Sequence, residues 1–313
     1  MSSPRVLIIG AGHMGLLHAK KIIEIENKGL VELVGIADVD DDRCNEIFPE
    51  HPSRREKNYK ILLDQVDAAV VAVPTVEHFT TVKNCLDAGL HVLVEKPIAL
   101  TAEEGDALLS LADRNQRVLQ VGHVEWFNPT LLCAVGKVSE PHFIETNRLG
   151  PFSKRGSDVD VVRDLMIHDI DIVQRLFREE PESIDSTGVS FITDKVDIAK
   201  AALYFSNDRV AHLNASRVSE VQERNIRIFQ GTEYFFLDLL KKEFFISKFK
   251  FGNREKEDEV RAIKQKIDES DALLNEVEVF VESVTLGKTL VNSAKAGVSA
   301  LRTASRIVEG ISS

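Results

Sequence analysis

The stretch from Val6 to Gly15 reads Val-Leu-Ile-Ile-Gly-Ala-Gly-His-Met-Gly, and it decides the fold of the first half of the chain. Its four apolar residues predict a buried strand, and its glycines have the spacing G-x-G-x-x-G. A helical pattern begins at Gly15 and continues to Lys28. Strand, glycine turn and helix in this order are typical of a dinucleotide-binding unit. The first glycine permits the tight turn, the second admits the pyrophosphate, and the third lets helix and strand pack closely.

The residues of this turn that we expect to contact a dinucleotide are Gly10, Gly12, His13, Met14 and Gly15. Asp38 follows the second predicted strand, Val31 to Ala37, where an acidic residue can hold the ribose hydroxyls of NAD. Its carboxylate would repel a 2′-phosphate, so the pattern favours NAD over NADP. Arg43 lies close in sequence and could bind a 2′-phosphate. NADP therefore stays the less favoured alternative cofactor.

Strand and helix patterns alternate through the rest of residues 1–124. The further predicted elements are strands at 68–73, 91–94 and 118–121 and helices at 80–88 and 102–114. The strands are continuous apolar runs with helices between them. They therefore predict a parallel sheet covered on both faces, which is an α/β domain with the doubly wound Rossmann arrangement.

The pattern changes after residue 124, and residues 125–313 are predicted to form a second domain. Successive strands are expected at 143–148, 183–192, 198–205, 209–216, 225–229 and 235–238. Helices are expected only at 164–177 and from Leu273 onward. Strands that follow one another in this way indicate a mostly antiparallel sheet and hence an α+β domain.

Length and composition narrow the class of protein. The chain has 313 residues, of which 43% are hydrophobic and 28% charged, and these values suit a globular protein of two domains. The formal net charge of −11 argues against a nucleic-acid partner, because phosphate binding needs clustered Lys and Arg. No apolar run is long enough to span a bilayer, and residues 1–9 lack the apolar stretch of a secretory signal. We therefore expect no membrane partner and a cytoplasmic location.

A second candidate site is Glu95-Lys96-Pro97, which directly follows the predicted strand 91–94. It stands at the carboxyl edge of the parallel sheet, where such folds bind ligands. There the ammonium of Lys96 could donate a hydrogen bond to a substrate hydroxyl or carbonyl, and Pro97 would fix the loop. An ordinary surface lysine would fit the same spacing.

A third candidate site lies on the predicted helix 164–177. At about 100° per residue, Asp164, His168 and Asp171 share one face, whereas Asp169 points elsewhere. A histidine between carboxylates suits general base catalysis near neutral pH. A structural stripe of polar residues would explain the pattern too, and so would a metal site. Since no further ligand cluster is apparent, we predict no metal.

These three motifs, in this order, resemble the Gfo/Idh/MocA family of NAD(P)-dependent sugar and cyclitol oxidoreductases. The resemblance covers nearly the whole chain, and a fourth match, Pro74-Thr75 with His78, supports it. It implies an amino-terminal Rossmann domain and a second domain whose open sheet often builds the oligomer interface. A homo-oligomer, dimer or tetramer, is therefore expected.

The resemblance also implies roles for single residues. Lys96 would polarise the reacting oxygen, His168 would take the substrate proton, and Asp164 would help to position the substrate. The predicted cofactor site would be completed by Pro74, Thr75, His78, Glu95 and Lys96. One position departs from the family, because Trp126 stands where many members have an arginine, and the role of that arginine cannot be carried over.

The run from Arg148 to Val162 resembles family members that act on a UDP-N-acetyl-hexosamine. Arg148, Lys154 and Arg155 stand on or beside a loop rich in Gly, Pro and Ser, just before the histidine helix. Such a basic loop could hold a nucleotide diphosphate by charge-assisted hydrogen bonds, although an ordinary solvated loop would look the same.

The expected activity is therefore NAD-dependent removal of a hydride from a secondary hydroxyl of a sugar, with C3 of a UDP-N-acetyl-hexosamine as the first choice. Inositol or an unmodified sugar is the alternative substrate within the family. A non-catalytic dinucleotide-binding redox sensor is an alternative of another class, which the presence of both Lys96 and His168 disfavours.

Overall fold

A computed structural model of the chain describes residues 3–40, 42–43, 54–153, 159–249, 262–267, 269–288, 291 and 293–312. The chain divides into two units. The first unit comprises Met1–Val124 and Ala272–Val298, and the second comprises Glu125–Asp271 and Ser299–Ser313. The division expected from sequence, 1–124 and 125–313, differs at Ala272–Val298, which returns to the first unit because its apolar side chains join that unit's core.

The first unit is built on a parallel sheet of six strands. They are Arg5–Ile9 (β1), Glu32–Ala37 (β2), Arg54–Glu56 (β3), Ala68–Val71 (β4), His91–Glu95 (β5) and Leu119–Gly122 (β6). Their order in the sheet is β3-β2-β1-β4-β5-β6, and all neighbours are parallel. The predicted doubly wound sheet is confirmed, and only the three-residue edge strand β3 was missed.

Five helices with described bounds contribute to the first unit. They are His13–Glu26 (α1), His78–Asp87 (α2), Ala102–Arg114 (α3), Ala272–Leu286 (α6) and the first turns of Ser293–Ser312 (α7). Alternate strand residues such as Val6 and Ile8 share one buried cluster with Ile22 of α1 and Phe280 of α6. The strands β4 and β5 are buried along their whole length, as a sheet covered on both faces requires.

The second unit contains a sheet of eight strands. They are Phe143–Leu149 (β7), Ser183–Val189 (β8), Ile198–Tyr204 (β9), Val210–Ser216 (β10), Glu223–Gln230 (β11), Glu233–Asp238 (β12), Glu243–Lys248 (β13) and Ala262–Lys264 (β14). The order is β14-β13-β12-β11-β7-β10-β9-β8, and every pair is antiparallel except β7 with β10. The mostly antiparallel α+β unit is confirmed. Two of its strands, β13 and β14, were not predicted, and β14 is an edge strand of only three residues, too short to show an alternating pattern.

Among the described residues, one face of this second sheet carries a large apolar core. Helices Pro129–Val135 (α4) and Ile167–Phe177 (α5) and the last part of α7 pack there with alternate strand residues. The opposite face is half-exposed and mixes polar and aromatic side chains, such as the ion pair of Arg227 with Glu145 and the ring pair of Phe236 with Phe245. None of the described helices is long and apolar enough to cross a membrane.

Candidate active site

The three glycines of the turn differ in their surroundings. Gly10 has φ +101°, and a Cβ there would lie 2.5 Å from the carbonyl oxygen of Ala72. A Cβ on Gly15 would lie 1.8 Å from the carbonyl oxygen of Gly10. Gly12 has φ −68°, and a Cβ there would meet nothing within 4 Å. The fold therefore needs Gly10 and Gly15, whereas the open space at Gly12 fits the close approach of a group from outside the chain.

Helix α1 begins at this open space. Its first-turn N–H groups have no carbonyl partner within the helix, and they carry the positive end of the helix dipole. His13 is exposed and Met14 half-buried at that first turn, and the first turn contains no acidic residue. A pyrophosphate is the kind of group that such a helix start binds, so the residues fit an NAD molecule placed across the turn.

Asp38 lies directly after β2 and is tied to the same turn. One oxygen of its carboxylate accepts the N–H of Ala11, and the other accepts the N–H of Asp40 at 2.9 Å. The acidic group thus stands beside the glycines, where the ribose of a dinucleotide would lie. Arg43 forms an exposed ion pair with Asp40 at 3.0 Å, so its guanidinium stays on the same surface.

The Lys96 loop follows β5 at the carboxyl edge of the parallel sheet. Pro74 and Thr75 follow the neighbouring strand β4 at that edge, and Lys96 is half-buried. Glu95 is buried, and its Oε1 lies 2.6 Å from Nε2 of His18 on α1. Burial alone would raise the pKa of Glu95, but the hydrogen bond of His18 and the charge of Lys96 outweigh it and lower that pKa.

His78 is 1% exposed, and both of its ring nitrogens face backbone carbonyls. Nδ1 lies 2.7 Å from the oxygen of Pro97, and Nε2 lies 2.9 Å from the oxygen of Val73. Both ring nitrogens of His78 are thus taken up by the protein, and its contact with the cofactor stays a prediction. Oε1 of Glu95 is likewise engaged, because it faces His18. The first role of Glu95 is therefore to hold the Lys96 loop rather than to bind a ligand.

In the second unit, His168 lies at the start of α5, just after a π-helical turn at Val162–Met166 that includes Asp164. The sequence pattern predicted one regular helix from Asp164 onward. The wider turn changes the angular offset between Asp164 and the residues that follow, which periodicity at 3.6 residues cannot show. Such π-turns occur often at functional sites, and both Asp164 and His168 are half-buried.

The chain entering this turn is held by a buried ion pair. The carboxylate of Asp197 accepts Nε of Arg217 at 2.7 Å and the backbone N–H groups of Phe191, Ile192 and Thr193. Arg217 also donates to the carbonyl of Val159 at 2.7 Å, three residues before the turn begins. These contacts fix the position of the segment that carries Asp164.

Asp171 does not assist His168 as the helical wheel predicted. Its carboxylate is 1% exposed in the side chain and accepts Nε of Arg175 at 2.9 Å on both oxygens. The same guanidinium lies 4.6 Å from the centre of the Trp126 ring. An arginine thus stands against the residue that marked the departure from the family pattern. The spacing of Asp171 and Arg175, four residues apart on a helix, was the signal that could have shown it.

Arg148 does not project into a substrate loop. Its side chain is 4% exposed and donates to Asp169 at 2.7 and 3.1 Å, with Glu125 at 3.6 Å. Burial alone would lower the pKa of Arg148, but the two carboxylates raise it. The charge of Arg148 is thus already neutralised inside the unit, and its contact with a diphosphate stays a prediction. Lys154 and Arg155, the other two members of that predicted set, lie outside the described residues.

The described residues contain no group of three or more His, Cys, Asp or Glu side chains that could hold a metal ion.

Comparison with known proteins follows the same division of the chain. Residues 4–123 match the family model described as an oxidoreductase family with an NAD-binding Rossmann fold, and residues 136–233 match the model of the GFO/IDH/MocA C-terminal domain. A UDP-N-acetylglucosamine 3-dehydrogenase of Acidithiobacillus ferrooxidans is 35% identical over 94% of this chain and 92% of its own. A myo-inositol 2-dehydrogenase of Thermotoga maritima is 25% identical over 95% of this chain and 93% of its own.

Solved structures agree on the fold. A crystal form of the UDP-N-acetylglucosamine 3-dehydrogenase from Acidithiobacillus ferrooxidans superposes with a TM-score of 0.91 at 33% identity, covering 99% of this chain and 98% of that chain.

Proposed function

Because the chain belongs to the Gfo/Idh/MocA family of oxidoreductases with an NAD-binding Rossmann domain, we propose that it oxidises a secondary hydroxyl of a UDP-N-acetyl-hexosamine at C3. The observation that carries the oxidoreductase chemistry is the Lys96 loop. It offers an ammonium at the carboxyl edge of the sheet, the same edge as the glycine turn, with β4 lying between the strand before the turn (β1) and the strand before Lys96 (β5).

The cofactor would be held by groups that the first unit provides. The N–H groups at the start of α1 would bind the pyrophosphate across Gly12, and the carboxylate of Asp38 would accept hydrogen bonds from the ribose hydroxyls. NAD⁺, when bound, supplies the acceptor for the hydride that leaves the sugar carbon. Pro74 and Thr75 line the same edge of the sheet and are the further candidates for contact with the cofactor.

In this proposal two side chains, Lys96 and His168, act on the reacting oxygen of the substrate. Lys96 donates a hydrogen bond to the substrate hydroxyl and stabilises the negative charge that develops on its oxygen. His168 accepts the hydroxyl proton, directly or through Lys96, and Asp164 positions the substrate. One C–H bond and one O–H bond break, and the C–O bond becomes a carbonyl.

The choice of substrate rests on the relative at 35% identity and on the basic sequence around Lys154 and Arg155. Inositol is the second candidate, because inositol dehydrogenases align over nearly the full chain at lower identity.

We expect purified protein with NAD⁺ to form NADH from UDP-N-acetylglucosamine, and not from myo-inositol or free N-acetylglucosamine. Lys96→Ala should lower kcat at least about a hundredfold, since a positioned electrostatic partner is lost. Lys83→Ala is the matched control, because Lys83 pairs with Asp87 on the exposed surface of α2. Turnover of free polyols but not of UDP-sugars would exclude the nucleotide-sugar assignment, and full activity of Lys96→Ala would exclude the mechanism.

We further propose that the enzyme acts in the cytoplasm and is a homo-oligomer that associates through the half-exposed face of the second sheet. The half-buried Arg227–Glu145 pair and Phe236–Phe245 ring pair on that face support this arrangement. Light scattering of the purified protein reports the mass in solution, and a monomer at micromolar concentration would exclude it.

A further inference from the structure

Two buried histidines hold the residues on either side of Lys96. His18, on α1, contacts the carboxylate of Glu95 at 2.6 Å. His78, the first residue of α2, contacts the carbonyl of Pro97 at 2.7 Å. Both imidazoles are at most 1% exposed. Lys96 is thus the centre of a tripeptide that is anchored at both ends from different helices.

The Glu95 anchor leaves little freedom to move. A Cβ added to Gly122, on the neighbouring strand β6, would lie 3.2 Å from both Cδ and Oε1 of Glu95, so the carboxyl group already packs against that backbone. On the other side stands the ring of His18. A carboxylate buried in this way is stable only when it is hydrogen-bonded, and His18 supplies the hydrogen bond.

The proton of His18 can be placed by its surroundings. Nε2 faces Glu95, whereas Nδ1 is buried and meets no hydrogen-bond partner among the described residues. A neutral ring with its proton on Nε2 leaves no buried N–H without an acceptor. In that form His18 donates to Glu95, and the carboxylate keeps its charge beside Lys96.

The His78 anchor joins two loops at the edge of the sheet. Its second nitrogen lies 2.9 Å from the carbonyl of Val73, just before Pro74 and Thr75, so the ring bridges the ends of β4 and β5. Burial lowers the pKa of His78. A neutral His78 ring can donate a hydrogen bond to only one of the two carbonyls, whereas a protonated ring would donate to both.

We propose that His18 and His78 are positioning residues that set the place of the Lys96 ammonium, an inference that rests on the proposed catalytic role of Lys96. His18 lies one helical turn after Gly15, on the helix whose start would bind the pyrophosphate. The cofactor turn and the lysine are thereby joined through one short path, His18 to Glu95 to Lys96.

The test compares His18→Leu and His78→Leu with His18→Gln, in which the amide can still donate near the position of Nε2. His91→Leu is the matched control. It removes another buried histidine of the same unit, from the opposite end of β5, where Nδ1 accepts the N–H of Val118 at 2.9 Å. Thermal unfolding of all four variants measures the stability change that any buried histidine would cause.

The first readout needs no substrate. In protein carrying ¹³C-labelled lysine, the Cε signal of Lys96 is identified by its loss in Lys96→Ala. We expect that signal to shift or broaden in His18→Leu and in His78→Leu, to return toward its wild-type position in His18→Gln, and to stay unchanged in His91→Leu. An unchanged Lys96 signal in both leucine variants would overturn the proposal, whatever the enzyme oxidises.

The second readout uses the substrate found in the panel. A lysine displaced by about 1 Å can cost on the order of a hundredfold in rate, so kcat should fall about 10- to 100-fold in His18→Leu, with a smaller loss in His18→Gln. In the Lys96→Ala background the same change should have no further effect on kcat. If the two losses multiply, His18 acts independently of Lys96 and the proposal fails. If no substrate is turned over by the wild type, the proposed function fails while the lysine signal still decides this inference.

Discussion

At the scale of single residues, the packing of the fold requires Gly15, whereas Gly12 leaves room for a ligand. A methyl group on Gly12 would point into open space at an ordinary φ, whereas one on Gly15 would collide with the backbone of Gly10. The motif spacing predicts both glycines but cannot tell which of them serves the protein's own packing.

We expect Gly12→Ala to keep the melting temperature of the wild type and to weaken NADH binding by at least about tenfold, or about 1.4 kcal/mol. Gly15→Ala should instead destabilise the fold by more than the roughly 1–3 kcal/mol that is typical of overpacking, because backbone must move. Thermal unfolding and fluorescence titration with NADH measure the two effects. Equal melting temperatures for the two variants would contradict the assignment.

The sequence predicted the placement of residues that share a local motif, but it did not predict contacts between residues that are distant in the chain. The glycine turn and Asp38 share a local pattern, and they do lie together. Arg148 was placed in a substrate loop because Lys154 and Arg155 follow it. Its actual partner, Asp169, is 21 residues away, and the pairing arises only when β7 and α5 pack.

At the scale of elements, the pairing of Arg148 with Asp169 locks β7 to α5, the helix that carries His168 at its start. Burial raises the pKa of Asp169 against the pull of Arg148, so the carboxylate depends on that guanidinium to stay charged. Glu125 stands on the other side, where Arg224 also contacts it at 2.9 Å.

Arg148→Met should therefore lower the free energy of unfolding by about 3–5 kcal/mol, the cost of leaving one partner of a buried ion pair alone. Arg302→Met is the control, because its partner Glu180 is 41% exposed in the side chain and such a pair contributes at most about 1 kcal/mol. Urea unfolding measures both. A loss for Arg148→Met no larger than for Arg302→Met would show that the pair does not hold the helix.

The π-turn at Val162–Met166 is the element that could not be predicted from the sequence. The apolar residues of 161–167 suit a regular helix equally well, and the extra residue in the turn is fixed by tertiary contacts such as Arg217 with Val159. The strands of the first sheet other than β3, by contrast, were predicted to within about two residues at each end, since continuous apolar runs between helices leave few other arrangements.

At the scale of the whole molecule, the first unit is completed by residues from near the end of the chain. Phe280 on α6 is fully buried and shares a core cluster with Ile22 and Ile25 of α1. The alternation of strands and helices predicts a boundary at residue 124, but nothing in the pattern of 272–286 reveals which unit its apolar face will join.

Phe280→Ala should lower the free energy of unfolding by about 3–5 kcal/mol, as expected for a large buried aromatic side chain. Because the loss falls on the first unit, NADH should recover part of the melting temperature. Leu286→Ala on the same helix is the control, since Leu286 is 51% exposed and such changes stay within about 0.5 kcal/mol. No difference between the two variants would contradict the division of the chain.

The return of Ala272–Val298 to the first unit has a consequence for biosynthesis. A ribosome adds roughly 5–20 residues per second, so on the order of ten seconds pass between the emergence of the last strand of the parallel sheet and that of Phe280. During this interval the nascent chain displays the apolar side of α1 to the surrounding medium. The amino-terminal half therefore cannot mature during translation ahead of the rest, and it is the stretch on which we expect chaperones to act.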